Sequence, residues 1–250
     1  MAKDPRLALS FGAAASAYER GRPGYPDDAV EWLLSRAATD DDALPDVVDV
    51  GAGTGKFTAS LVGRAASVTA VEPDPEMRSR LAAALPGVLA VEGTGEAMPL
   101  GDASADVVTF AQSWHWVDAE AACREAARVL RPGGVLALVW NVRDESADWV
   151  SRLTRVVGAS IAEEYDTVRP AVTEPLRRDA HAEFRWVKEF DRAGLHDLVA
   201  SRSSTIALDD PDREALFRAL DDLLDTHPDL AGRDRYPLPY LTRVTIARGI

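Results

Sequence analysis

The sequence predicts an α/β fold, a mostly parallel sheet with helices on both faces. Three observations predict it. Short, wholly apolar runs such as Val47, Val48 and Val50 suit parallel strands buried on both sides. Amphipathic helical stretches alternate with these runs along the chain. Residues 46–72 spell a complete β-α-β unit, with a glycine bend at the tip of its first strand and an acid at the tip of its second.

Before that unit, residues 11–26 read FGAAASAYERGRPGYP, irregular and rich in Gly and Pro, an arm leading into the fold. Residues 27–38 carry Val30, Leu33, Leu34 and Ala37 at helical spacing and form a helix against the sheet. Asp40, Asp41 and Asp42 sit in a solvated loop, without the spaced ligands of a cation site. In the unit itself the first strand ends in Gly51-Ala52-Gly53-Thr54-Gly55, and a helix over 56–64 follows, with Phe57 and Leu61 on one face. Residues 68–71 make the second strand, closed by Glu72. Glycines let the backbone turn and approach a ligand with no Cβ in the way. The following helix offers unpaired N–H groups. A carboxylate about 20 residues on accepts two hydrogen bonds from a ribose diol. The ligand expected is an adenosine-containing cofactor. Gly55 comes one position early for the nicotinamide fingerprint, so an NAD-dependent oxidoreductase is the weaker alternative, and the bend is no P-loop.

Pro73-Asp74-Pro75 leads to a helix over 76–85 with Met77, Leu81 and Leu85 on one face. Residues 88–91 are strand three, running into Gly93-Thr94-Gly95-Glu96-Ala97-Met98-Pro99. Residues 106–111 are strand four, and Gln112-Ser113-Trp114-His115-Trp116 is its exit, on the rim where ligands of open α/β sheets sit. An alanine-rich helix over 118–130 stops at Arg131-Pro132-Gly133-Gly134, and 135–140 is a buried fifth strand. Helices are expected over 148–161 and 179–193, around a Pro-containing loop at 167–175. Residues 202–208 read as strand six. A helix starts at Asp210-Pro211, with Asp210 as its cap and Leu216, Leu220, Leu223 and Leu224 as its apolar face. Residues 240–248 read as strand seven.

Asp49-x-Gly51-x-Gly53-x-Gly55 with Glu72 at the end of strand two resembles the class I S-adenosylmethionine (SAM) dependent methyltransferases. So do the other motifs: Phe11, Ala15, Tyr18, Arg22, Pro23, Tyr25 and Pro26 of the arm, the loop from Gly93 to Pro99, the His115-Trp116 pair with Asp118, and the Arg-Pro-Gly-Gly corner. The resemblance covers nearly the whole chain and implies a Rossmann-like seven-stranded sheet with an antiparallel strand seven. It implies SAM as cofactor and cofactor contacts at Tyr18, Arg22, Asp49, Gly51, Ala52, Gly53, Gly55, Glu72, Pro73, Met77, Thr94, Gly95, Glu96 and Gln112. Thr94 departs from the commoner Asp of that loop. Met77 reads equally as an adenine wall or as ordinary core. The arm either folds over the cofactor or caps the core. His115, the rim side chain that titrates near neutrality, is a candidate base or a structural histidine. Trp149, Tyr165, Phe184 and Trp186 are acceptor-pocket walls or core.

The resulting plan is one domain. Residues 1–45 form an arm and helix, 46–141 the cofactor core, 142–200 a lid that shapes the acceptor pocket, and 201–250 a C-terminal strand pair. The chain has 250 residues, 46% hydrophobic, with a formal net charge of -13 and no basic run, which argues against nucleic acid as partner. The acceptor expected is a small molecule. Cys123 is the sole cysteine, and no residues have metal-ligand spacing, so no metal is expected. No stretch reaches the ~18 apolar residues of a membrane span. Lys3, Arg6 and Ala15-Ser16-Ala17 imitate a secretion signal, but the apolar segment is short and follows Asp4. A cytoplasmic monomer or homodimer is expected. A non-catalytic SAM-binding protein on the same fold is the remaining alternative.

Overall fold

The structure, a computed structural model, describes residues 22–37, 43–158 and 165–250. Its centre is a seven-stranded sheet in the order β3-β2-β1-β4-β5-β7-β6. The strands are β1 (Asp46–Val50), β2 (Ser67–Val71), β3 (Leu89–Val91), β4 (Ala105–Ala111), β5 (Leu130–Arg143), β6 (Leu176–Phe190) and β7 (Tyr236–Gly249). Strands β1 to β5 pair in parallel, and β7 runs antiparallel to both of its neighbours, β5 and β6. The Rossmann-like sheet with an antiparallel seventh strand is therefore present.

Period-two alternation along the strands sorts the core into two layers. From β5, Leu136, Leu138 and Trp140 join Ala122, Cys123 and Ala126 of helix α4 (Ala119–Val129) on one face. Val135, Ala137 and Val139 meet Val30 and Leu33 of α1 (Asp27–Leu34), and Phe57 and Leu61 at α2 (Thr58–Leu61), on the other. Helix α3 (Pro75–Ala84) packs Leu81 against Ala70 and Val88. Its start follows from local chemistry: Asp74 accepts from the N–H groups of Glu76 and Met77, and Pro75 fills the first turn. Asp118 caps α4 in the same way, accepting from Ala121 N. Arg131 ties the feet of β1 and β4 by pairing with Asp46 and Asp106, so the Arg-Pro-Gly-Gly corner is structural.

A further core lies beyond the sheet's main layers. It joins α5 (Asp148–Val157), α6 (Arg192–Ala200) and α8 (Asp210–Thr226) to the rim ends of β6 and β7 through Trp149, Leu153, Phe190, Leu195, Leu220, Leu224 and Tyr236. Here the structure corrects the sequence reading. Residues 179–193, expected as a helix, are mostly β6. Ala180, Ala182, Phe184 and Trp186 alternate with exposed His181, Glu183 and Arg185, and the long ladder to β7 decides the conformation. Residues 202–208, expected as strand six, hold the one-turn helix α7 (Ser203–Ile206). The C-terminal strand pair is thus 176–190 with 236–249, and it crosses the boundary expected at residue 200. The helix expected over 56–64 shrinks to Thr58–Leu61, and Asp209 rather than Asp210 caps α8. Among the described residues, no helix is long and apolar enough to cross a membrane.

Candidate active site

Parallel strands β1, β2 and β4 end on one rim, and the loops leaving them meet there. Gly51 N donates to Val71 O at 2.8 Å, which folds the glycine bend back onto β2. Gly51, Gly53 and Gly55 all have positive φ, at 66°, 58° and 87°. At Gly51 a Cβ would lie 2.6 Å from Ser113 Cβ, so this position needs glycine both for its conformation and for the close approach of the β4 exit.

Glu72 closes the bend. Its Oε2 accepts from Gly53 N at 2.7 Å and its Oε1 from Asp74 N at 2.9 Å. Burial, with 5% of the residue exposed, pushes its carboxyl above the ordinary range, against the pull of those two N–H groups. Each oxygen keeps a further lone pair. Met77 lies beside the bend, with its Sδ 3.8 Å from where a Gly53 Cβ would stand. Pro73 is half-buried between Glu72 and Asp74.

Asp49 departs from its expected place among the cofactor contacts. It is 1% exposed, and its carboxylate accepts from Thr58 Oγ1 at 2.6 Å and Thr109 Oγ1 at 2.9 Å. Burial pushes its pKa up to about 6. Those bonds tie the start of α2 and strand β4 together beneath the bend. Asp49 supports the crevice and does not line it.

After β3, the backbones of Thr94 and Ala97 exchange two hydrogen bonds and make a tight turn. Gly95 is pressed against Phe110 and Val117, where a Cβ would stand 2.8 Å and 2.9 Å away, and Glu96 Oε1 accepts from Asp118 N at 2.8 Å. Thr94 is exposed. Glu96 thus links the turn to the helix that follows the β4 exit.

At that exit Gln112 adopts φ 58°, a conformation that L side chains rarely take. Ser113 Oγ donates to Val50 O at 2.7 Å and pins the exit to β1. Trp114 Nε1 donates to Ala171 O at 2.9 Å, which brings the 165–172 loop over the rim. His115 is 4% exposed, its ring centre 5.2 Å from Trp116 and 6.4 Å from Tyr165. Tyr165 is the one expected pocket aromatic found beside His115. Trp149 belongs to the core beyond the sheet, Phe184 packs on Trp32, and Trp186 stacks on Tyr240.

Arg22 is half-buried, and the segment after it lies along the rim: Tyr25 packs edge-on against Phe57 at 4.8 Å, and Gly24 O accepts from Asn141 Nδ2 at 2.8 Å. Tyr18 lies outside the described residues. On the rim, Thr54 Oγ1 and Gln112 Oε1 are buried polar atoms with no hydrogen-bond partner. Sequence reasoning passed over Thr54 and also Asn141, whose signal was an amide at the end of an otherwise apolar strand. No group of three metal-ligating side chains occurs among the described residues.

Known proteins resemble this chain in sequence and fold. A family model described as a methyltransferase domain matches residues 48–138. An uncharacterised methyltransferase of Mycobacterium tuberculosis is 47% identical over 246 residues, 96% of this chain and 97% of that one. A structure from Anaeromyxobacter dehalogenans, reported as a type II methyltransferase, superposes with TM-score 0.70 at 24% identity, covering 91% of this chain and 97% of the other. A geranyl diphosphate methyltransferase in complex with SAM superposes with TM-score 0.50 at 14% identity, covering 90% and 85%.

Proposed function

The chain belongs to the methyltransferase family, and on that premise we propose that it transfers a methyl group from SAM to an O, N or C atom of a small-molecule acceptor. One observation carries the reading. The Gly53 amide and the Glu72 carboxylate form a single braced unit at the tips of β1 and β2. That unit offers what a nucleoside needs, close backbone approach and carboxylate lone pairs for a ribose diol. Buried Thr54 Oγ1 and Gln112 Oε1, which have no protein partner, fit a polar ligand on the same rim. The SAM complex of a protein with this fold adds support.

SAM, when bound, supplies a methyl group on a sulfonium centre. The chain's own residues do the rest. Glu72 holds the ribose, and Gly51, Ala52, Gly53 and Gly55 admit the ligand against the backbone. Pro73 and Met77 wall the adenine, and Thr94, Gly95 and Glu96 form the turn at its edge. Tyr18, Arg22 and Gln112 serve the amino-acid end. Tyr165 and Trp116 shield the space beside His115 from water, and His115 takes the proton from an acceptor hydroxyl or amine. Holding acceptor and methyl in line supplies much of the rate enhancement. An acidic surface with net charge -13 favours a small acceptor over a nucleic-acid backbone. A cytoplasmic monomer or homodimer completes the proposal.

Calorimetric titration with SAM, S-adenosylhomocysteine and NAD tests the reading. Binding of the first two and not the third is expected. Binding of NAD, or of none, overturns it. A screen of small acceptors with the SAM-bound protein then separates an enzyme from a protein that merely holds SAM.

A further inference from the structure

The long β6–β7 ladder carries one irregularity. Arg178 pairs with Ala247 and Ala180 with Ile246, so Asp179 is an extra residue in β6, a β-bulge. His181 then pairs with Thr245. Residues three apart on a regular strand point to opposite faces, but here the partners, Ala247 and Thr245, are two apart and share a face. The bulge therefore brings Arg178 and His181 to one side of the sheet. The 165–172 loop packs on that side, held by two local devices. Asp166 Oδ1 accepts from the N–H groups of Val168 and Arg169 at 3.1 Å and 2.8 Å, and Thr167 Oγ1 accepts from Arg243 Nη1 at 2.8 Å. Between loop and strand lies a shallow cavity of about 240 Å³, with Arg169 on the loop side and Arg178, Asp179, His181 and Thr245 on the sheet side.

The chain carries a net charge of -13, yet the charge left facing this cavity is positive. Asp179 is paired with Arg248 at 2.8 Å, and nearby Glu183 with Arg243 at 2.7 Å. Among the described residues, the guanidiniums of Arg169 and Arg178 make no ion pair or hydrogen bond of their own. The His181 ring has its Nδ1 3.0 Å from Thr245 Oγ1, and burial holds its pKa below the ordinary value, so it is uncharged near neutral pH. Two unengaged guanidiniums from different elements are a forked donor set that matches the oxygens of a phosphoryl group. The volume falls short of the roughly 300 Å³ at which sites for drug-sized ligands begin, so the ligand is small. We propose that this cavity is a second binding site, apart from the rim, for a small phosphate-bearing anion, with Arg169 and Arg178 clamping its oxygens from the loop and from the bulge. The site requires nothing on the rim, so it stands or falls independently of the SAM reading.

Calorimetric titration with inorganic phosphate and with glycerol 3-phosphate tests the proposal, against potassium chloride at matched ionic strength. Saturable binding of phosphate and not of chloride is expected, weakening as salt rises because the site is open to solvent. Arg169→Gln and Arg178→Gln, both at exposed positions, each weaken binding about tenfold or more, and the double variant abolishes it. Arg177→Gln is the control. Arg177 pairs with Arg248, one step before the bulge, and lies outside the cavity, so its replacement weakens binding about twofold at most. Tighter binding of glycerol 3-phosphate supports an organic phosphate as the ligand, and equal or tighter binding of inorganic phosphate supports the free ion. Wild-type protein with no saturable binding, binding that survives the double variant, or an equal loss in Arg177→Gln overturns the proposal.

Discussion

The amide of Gly53 and the carboxylate of Glu72 meet at 2.7 Å, joining residues 19 apart in sequence across the tips of neighbouring parallel strands. The contact braces the bend before any ligand arrives, so less ordering is left for binding to bring about. Glu72→Gln keeps the volume but offers one acceptor oxygen where two N–H groups now donate. We expect S-adenosylhomocysteine affinity to fall at least about tenfold in calorimetry, the scale of one charged hydrogen bond. Unchanged affinity would remove Glu72 from the site.

Gly51 is the position in the bend least able to accept a side chain, with φ 66° and a Cβ that would meet Ser113 Cβ at 2.6 Å. Gly51→Ala therefore combines backbone strain with a clash, together costing about 2–4 kcal/mol. A chain of this length loses about 2–4 °C in Tm per kcal/mol, so a fall of about 5 °C or more should appear in calorimetric unfolding. Gly63→Ala, also at positive φ but with open space around its Cβ position, should cost less.

Asp49 gives a pH signature. Its pKa rises from 3.8 toward about 6 in the folded protein because burial disfavours the charge. The folded state therefore holds this proton more tightly than the unfolded chain does. The stabilisation from that proton is full below pH 4 and is lost as pH climbs to about 6. Asp49→Asn carries no such proton. Measured by denaturant unfolding, its stability relative to wild type should improve by on the order of 2 kcal/mol between pH 4 and pH 7. A flat difference would show that the carboxylate does not titrate in that window.

His115 sits between Trp116 and Tyr165 at the exit of β4. His115→Gln keeps a polar side chain of similar reach but cannot accept the proton. As a base, His115 should give a kcat lowered at least about a hundredfold with an O- or N-acceptor, and S-adenosylhomocysteine affinity within about twofold. Lost affinity with intact turnover would make it a structural residue.

How much of this was legible depended on distance along the chain. The glycine bend and Glu72 are local chemistry, and the sequence displays them. Strands β1 to β5 are legible because parallel strands are apolar on both sides. Strand β6 is not, because its many charged residues and its two alanines also suit a helix until β7 lies beside it. Asp49 shows its residue type but not its direction: the partners that turn it under the bend, Thr58 and Thr109, stand on other elements. Asn141 and Thr242 meet across 101 residues, and no local pattern marks that pair.

The order of the sheet also governs how the molecule can be made. Strand β7 is synthesised after both β5 and β6, yet it lies between them. Until it emerges from the ribosome, one flank of β5 and the inner flank of β6 carry bare main-chain donors and acceptors, templates for any passing strand. Removing residues 236–250 should therefore leave a chain that is drawn into aggregates during expression, because the last-made strand is the one that seals the two before it.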